Sequence, residues 1–438
     1  MTGERDVINK AAKRILPILL ACYFAAFLDR VNIGFAALTM NRDLGFSASA
    51  FGFGAGIFFL GYVLCELPSN LILARVGART WIARILVTWG VLSAATALVW
   101  NPTSFYVVRV LLGAAEAGFF PGIIFYLTLW FPAQHRARMF ALFNIAVPLS
   151  SVIGAPVSGL LVEHMTGVAG LSGWQWMFLA EGIPAIVMSA VVFLALPERP
   201  ESAAFLSPEE RTWLAAKLGD ERKAQEAAER FTVGRALRDP RVLLMCLIAV
   251  GLVMGTTGIA IWMPQIIKSF GLDNVETGFV TAIPAAFMAL AMLAVGRHAD
   301  RTGERIWHAA GPFLVSAAGF TLAALSGSPV LSLVGLTIGA AGIGGASPNI
   351  WIFPATLLTG PAAAAGIALI NSVGSTGGFF GPSIIGWARE ATGGFEGALL
   401  FLASAMLLTA GAILLLGWMM RDMMRPRASG QSAAEVRA

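Results

Sequence analysis

The sequence predicts an all-α polytopic membrane protein: twelve transmembrane helices in two pseudo-symmetric six-helix bundles, with both termini cytoplasmic. Three observations carry that expectation. Of 438 residues, 57% are hydrophobic and 13% are charged, against roughly 25% charged residues in a soluble domain. The apolar residues are gathered into stretches near or above the ~20 needed to cross a bilayer as a helix. The Lys and Arg residues fall almost wholly on one side of the resulting plan.

The predicted spans of the first half are 15–39, 51–73, 81–100, 105–131, 138–163 and 174–196. The first begins near Ile15 and is too long for the apolar region of a signal peptide. The polar stretch 197–240 follows, and then 241–267, 277–297, 306–326, 331–357, 363–387 and 395–420. An even number of spans puts both termini on one side, and Lys and Arg choose that side. Of the 30 Lys and Arg residues, only Arg42, Lys268 and Arg389 fall in loops on the far side, and only Arg30 and Arg109 lie within spans. The expected organisation is a bundle over 1–196, a cytoplasmic linker over 197–240, a second bundle over 241–420 and a cytoplasmic tail over 421–438. Within the linker, Ser207 followed by Glu210 is a capping-box pattern that starts a polar helix. The stretch reads as a solvated tether between the halves.

Several function classes are excluded on chemistry. Cys22, Cys65 and Cys246 lie in apolar segments at spacings that suit no metal site, so no metal and no cofactor is implied. GFGAG (52–56) and GAAGIGGAS (339–347) sit inside spans, with no preceding strand and no Walker lysine. They read as small residues at helix crossings. Pro148, Pro264, Pro284 and Pro382 mark kinks within or near the ends of spans. The net charge of +5 does not make a nucleic-acid binder, because the basic residues line one membrane face. A membrane enzyme would need an H-x-x-x-H, a nucleophile with its base, or paired aspartates within spans, and a sensor would need a signalling domain. The expected partner at this level is the lipid bilayer, and the chain is expected to be a monomer.

An internal repeat organises the chain. NLILARVGAR (70–79) and GRHADRTGER (296–305) each follow the second span of a half. Arg75, Gly77 and Arg79 align with Arg301, Gly303 and Arg305; Gly296 and Asp300 complete the second copy, whereas Asn70 and Ala74 stand in the first. Two homologous halves are a recurrent plan of secondary transporters. The glycines permit tight turns and the arginines can hold helix C-termini and headgroups, so both loops read as conformational gates. The second copy, G-x-x-x-D-R-x-G-x-R, resembles the signature of the major facilitator superfamily. PSNLILARVGAR, LDRVNIGFAAL and RVLLGAAEAGFFPG (109–122) resemble the anion:cation symporter family. GIALINSVGSTGGFFGP (366–382) resembles its tartrate, 4-hydroxyphenylacetate and phthalate branch. The resemblance implies import of such a carboxylate by proton symport, with alternating access, in a bacterial inner (cytoplasmic) membrane. It also implies substrate and proton roles for the charges of spans 1 and 4. An organic-anion exchanger or a uniporter of the same fold is the alternative.

Those charges are Asp29, Arg30, Arg109 and Glu116; Glu66 and Glu181 lie nearer span ends. His135, His164, His298 and His308 all sit in loops or at span ends, so a proton crossing the membrane must ride on a carboxylate. At about 1.5 Å per residue, Asp29 lies ~21 Å from the inner surface and Glu116 ~17 Å from the outer, which lets them share a level. Asp29 and Arg30 point about 100° apart and need separate partners. The expectation pairs Asp29 with Arg109 or the Glu116 region and leaves Arg30 facing a cavity as a bidentate carboxylate binder. Asp29 and Glu116 are then the proton carriers, with Arg109 tuning them. The competing reading is a structural ion-pair network locking the two spans.

Tyr62, Asn371 and Trp351 complete the expected substrate site. Tyr62 offers a hydroxyl and could equally be packing. Asn371 offers an amide and could equally bridge two helices. Trp351 enters by resemblance alone. Val147 and Pro148 stand where some related sugar-acid carriers have a glutamine, which favours a smaller or more apolar acid.

Overall fold

A computed structural model describes residues 4–144, 146–227, 239–357 and 361–420. The expected tail and residues 228–238 of the linker lie outside them. In chain order the first half holds α1 (Glu4–Asp43), α2 (Ala48–Val76), α3 (Ala78–Ala95), α4 (Pro102–Glu116), α5 (Phe119–Trp130), α6 (Ala133–Asn144), α7 (Ala146–His164) and α8 (Gly173–Ala195). The polar helix α9 (Pro208–Ala227) follows. The second half holds α10 (Pro240–Lys268), α11 (Asn274–Thr302), α12 (Ile306–Leu325), α13 (Pro329–Ile350), α14 (Ile352–Leu357), α15 (Pro361–Ser375), α16 (Gly377–Thr392) and α17 (Glu396–Met419). The described residues form no strand, and 10 of their helical segments are long and apolar enough to cross a membrane. The eleventh predicted span is divided at Thr376, into α15 and α16.

The fourth span is also interrupted, directly after Glu116. Ala117 leaves helical geometry and Gly118 adopts a left-handed φ of 86° before α5 begins. A break at this depth frees backbone groups that have no water to bond. Ser69 of α2 answers one of them, its Oγ donating to the Ala117 carbonyl at 2.7 Å while it accepts from Trp81 Nε1 at 3.0 Å.

The repeated loops are built differently. In the second half Gly303 ends α11 with φ 70°, and Arg305 reaches Asp300 at 2.8 Å and Asn349 of α13 at 3.2 Å. Gly296 lies two turns before Gly303, facing Pro348, and Arg301 is exposed. In the first half Gly77 takes φ 100°, Arg75 is exposed, and Arg79 lies over the Phe193 ring at 5.3 Å. Where the first loop has Ala74 in place of an aspartate, Glu198 arrives from beyond α8. Its carboxylate accepts from the N–H groups of Ala78 at 2.6 Å and Arg79 at 3.1 Å, at the start of α3. A carboxylate there satisfies orphan donors and complements the helix dipole.

The capping box at Ser207 and Glu210 forms, with bonds of 2.9 and 3.2 Å. The tether reading of this stretch needs correction, because α9 is docked. Glu210 pairs with Lys10 of α1 at 2.5 Å, Glu221 pairs with Arg136 at 3.1 Å, and Leu206 and Leu214 are buried. Two leucines that need cover and two carboxylates facing basic residues at the foot of the first half hold it there.

Within the first half α1 packs on α7 and α8, α2 on α4, and α3 on α8; within the second, α12 packs on α13 and α17, and α10 on α15 and α16. The halves meet where α2 lies on α16, α7 on α11 and α1 on α10. At the end remote from the chain termini these contacts are backbone to backbone. A Cβ on Gly34 would lie 2.5 Å from the Ile261 carbonyl oxygen, one on Gly52 2.5 Å from that of Pro382, and one on Gly159 2.5 Å from that of Asn274. Glycine permits this approach, and it closes that end of the molecule.

The α2–α4 contact positions Glu116, and it depends on Gly113, whose Cβ would overlap the Phe58 carbonyl. Gly113→Val is expected to lower stability by about 1–3 kcal/mol through overpacking. Thermal unfolding of the detergent-solubilised protein measures this, and an unchanged midpoint would show that α2 and α4 do not meet as described.

Candidate functional site

Asp29 and Arg30 are neighbours on α1, and helix geometry sends them to different elements. Arg30 crosses to α4, where its Nη2 lies 2.5 Å from Glu116 Oε1. The Glu116 side chain is 1% exposed and that of Arg30 is 29% exposed, so the pair is buried on one side only. The guanidinium carbon sits 5.0 Å from the Phe27 ring centroid and 6.0 Å from that of Tyr62, within cation–π range. Among the described residues Glu116 Oε2 and Arg30 Nε find no hydrogen-bond partner. The ion pair is therefore strong along one edge and incomplete along the other.

This pairing corrects the expected one. Arg30 is not left free, and Asp29 takes no cation. Asp29 accepts from Trp89 Nε1 at 2.9 Å, from Asn32 Nδ2 at 3.1 Å and from the Ser93 hydroxyl, all in a buried setting. Three neutral donors can solvate a carboxylate without a counter-charge. Arg109, 5% exposed, also stands apart from a direct ion pair. Its Nη2 donates to the Ala55 carbonyl at 3.2 Å and its guanidinium lies 4.8 Å from the Phe58 ring, while Asp29 and Glu116 act on it through space.

Of the other expected residues, Tyr62 is buried beside Arg30. Asn371 lies across the interface between the halves, donating its amide to Glu66 at 2.9 Å; Ser372 donates to the other Glu66 oxygen at 3.2 Å. Trp351 stands at the junction of α13 and α14, 37% exposed. Nothing among the described residues ties it to Arg30.

Sequence reasoning missed an aromatic shelf beside the pair. Tyr23 stacks on Phe143 at 4.1 Å and meets Phe27 edge-on at 4.9 Å, with Phe120 at 5.8 Å. The signal was present as Tyr23, Phe27 and Arg30 at i, i+4 and i+7, one face of α1. Trp89 and Ser93, one turn apart on α3, were the corresponding signal for the Asp29 pocket. Glu181, also unassigned, is 3% exposed and accepts from Ser158 at 2.8 Å.

A bundle of membrane-length helices around a half-satisfied buried ion pair, placed at a broken helix, defines a membrane transport protein. Residues 19–382 match the Major Facilitator Superfamily, and the chain belongs to that family. An Agrobacterium vitis protein provisionally assigned as a tartrate transporter is 52% identical over 413 residues, covering 94% of this chain and 92% of the relative. The inner membrane transport protein RhmT of Escherichia coli K12 is 40% identical over 380 residues, covering 86% of this chain and 87% of the relative. Among solved structures, a bacterial homologue of the human lysosomal transporter Spinster, inward-facing and unoccupied, superposes with a TM-score of 0.77 at 16% identity, over 94% of this chain and 98% of that one. The protein is thus a multi-pass membrane transporter of a small molecule, with the architecture this family shares.

The donors around Asp29 should behave as a set. Trp89→Phe keeps an aromatic ring but deletes the N–H and some buried volume, and is expected to cost about 1–3 kcal/mol of stability. Adding Asp29→Asn should recover part of that loss, since the shortened donor set then faces no buried anion. A double-mutant cycle on thermal unfolding reads the coupling; strictly additive losses would separate Trp89 from Asp29.

Proposed function

We propose that this protein imports a small organic anion, a carboxylate of the tartrate, 4-hydroxyphenylacetate or phthalate kind, by proton symport across a bacterial inner membrane. The observation that carries the proposal is the Arg30–Glu116 pair, closed on the Glu116 side and open on the Arg30 side. A substrate carboxylate and Glu116 are rivals for one guanidinium. When Glu116 is an anion it occupies Arg30. When Glu116 takes a proton its hold weakens, and Arg30 becomes free to bind a carboxylate through its fork. One proton on Glu116 and one substrate carboxylate then leave the pair's local charge unchanged. A low-dielectric cavity favours that balance, because an extra buried charge is costly. Uptake of the proton and of the anion are linked through a shared partner. Phe27, Tyr62 and the Tyr23 shelf supply an apolar wall for the rest of the acid, and names borne by relatives support a tartrate-like substrate.

Transport follows from two six-helix bundles, 1–196 and 241–420, rocking about the site while the gate loops at Arg75, Gly77, Arg79 and at Gly296 to Arg305 rearrange. Glu66, held by Asn371 and Ser372, joins α2 of one half to α15 of the other. The closed distal end supports a state open toward the termini. In this scheme Asp29, solvated by neutral donors, orients α1 and is the second carboxylate able to take a proton, and Arg109 offsets the negative charge around it.

Proteoliposomes under an acid-outside gradient test the scheme with a panel of aliphatic and aromatic carboxylates. The intact protein is expected to accumulate one acid, and a protonophore to abolish the accumulation. Glu116→Gln, a permanent mimic of the protonated residue, should retain exchange of that acid and lose gradient-driven uptake. If it still concentrates substrate, Glu116 is not the coupling residue. Arg30→Lys keeps the charge and loses the fork, and should weaken binding by at least tenfold, about 1.4 kcal/mol. Unchanged affinity by calorimetry removes Arg30 from the site.

A further inference from the structure

A cavity of ≈ 520 Å³ opens at the end remote from the termini, bordered by the last turns of α1, α10 and α16. Arg42, Lys268 and Arg389 line it. These are the only three Lys or Arg residues that the sequence places in loops on the far side of the membrane, and the fold gathers all of them around one space. Glu390 is the single carboxylate of the lining, and it is engaged elsewhere, accepting from the Ser49 N–H at 2.8 Å. Lys268 and Arg389 have no carboxylate partner among the described residues, and Arg42 has only a 3.4 Å contact with its neighbour Asp43.

Basic residues at helix C-termini commonly offset the negative end of the helix dipole. That role accounts for each of the three singly. It does not account for their convergence, nor for Gln265. This residue lines the same cavity and is 7% exposed. Its Oε1 accepts from Arg389 Nη1 at 2.6 Å, which fixes the amide orientation, since the NH₂ group could not accept that bond. The Nε2 group is then a buried donor with no partner among the described residues. An unmet donor costs as much as a lost hydrogen bond, and an oxygen of a bound anion would meet it. Arg389 is itself held in place, its guanidinium 4.5 Å from the Phe395 ring and 5.6 Å from that of Trp262.

We propose that this cavity is an anion-binding vestibule, which takes a compact carboxylate before it reaches Arg30. The inference rests on the carboxylate reading above. Three cations against Glu390 and the Asp43 beside Arg42 leave one net positive charge, which suits an anion. Arg42 and Arg30 lie on the same helix about 18 Å apart, so the vestibule and the ion pair are successive stations on one path. The floor between them is shut by the Gly34–Ile261 and Gly52–Pro382 approaches, and an anion held above it waits until the halves part. A cationic mouth also raises the local concentration of anions, an effect that salt screens.

The full-length protein in proteoliposomes tests this with disodium tartrate and with sulfate as an inorganic dianion. Replacing Lys268→Gln and Arg389→Gln together should raise KM for external tartrate by about tenfold, the loss expected for one charge-assisted hydrogen bond. The salt dependence of kcat/KM should flatten, and KM for efflux from the opposite face should stay unchanged. Lys268→Gln alone repeats the test with a side chain that has no ion-pair partner to lose. Independently of transport, Ser269→Cys places a thiol on the exposed rim of the cavity. Tartrate or sulfate should slow its labelling by a membrane-impermeant maleimide, with the unmodified chain as background, and the slowing should vanish in the double variant. Equal rises in KM on both faces would overturn the proposal by assigning the two cations to the central site. Tartrate uptake by the intact protein with no protection of Ser269→Cys by either dianion would overturn the vestibule and leave the carboxylate reading standing. Protection by dianions in a protein that moves no carboxylate would uphold the vestibule and remove that reading. Absence of both uptake and protection would remove both.

Discussion

Arg30 and Glu116 meet at 2.5 Å in the interior of the first half, and the surrounding architecture is arranged around that contact. Two opposite charges in a low-dielectric setting attract strongly, yet each has paid a desolvation cost that only good geometry recovers. The geometry comes from three sources. The Gly113–Phe58 approach brings α4 against α2, the break at Gly118 ends α4 at Glu116, and Phe27 and Tyr62 flank the guanidinium. The pair is incomplete: Glu116 Oε2 and Arg30 Nε lack partners among the described residues.

Asp29 and Glu116 reach stability by different means. Glu116 relies on a cation. Asp29 relies on an indole, an amide and a hydroxyl, all neutral donors. Neighbours in sequence thus hold separate partners, a carboxylate on the Arg30 side of α1 and neutral donors on the Asp29 side. Arg109 is anchored by a carbonyl and a ring. It contributes charge without entering the Arg30–Glu116 pair.

The repeat shows how one motif is kept while its chemistry is supplied from elsewhere. Asp300 and Arg305 close the second loop from within, whereas Glu198 closes the first from beyond α8. The first half is further braced by α9 through Lys10 and Arg136. At the opposite end, glycine-mediated backbone contacts seal the halves and form the floor of the cationic cavity. The seal and the cavity are two faces of the same packing.

The sequence by itself determined the material of the fold: apolar stretches of membrane length, a repeated loop, family motifs, and the few charges that must be buried. Those are properties of residue type and local spacing, and hydrophobicity accumulates along a stretch without reference to its neighbours. It also determined that Asp29 and Arg30 cannot share a partner, because adjacent residues on a helix diverge. Tertiary structure decided which partner each took. That choice depends on how α1 is rotated about its axis and on which helices stand beside it, so Trp89 and Ser93, about sixty residues away, claimed Asp29 and released Arg30 to Glu116. The break after Glu116 was equally hidden, since Gly118 in an apolar run is compatible with a continuous helix until Ser69 of another helix offers its hydroxyl to the freed carbonyl. Glu198, Asn371 and the three cations of the distal cavity belong with these. Each is an ordinary polar residue in the sequence, and only the approach of distant helices gave it a partner or a shared space.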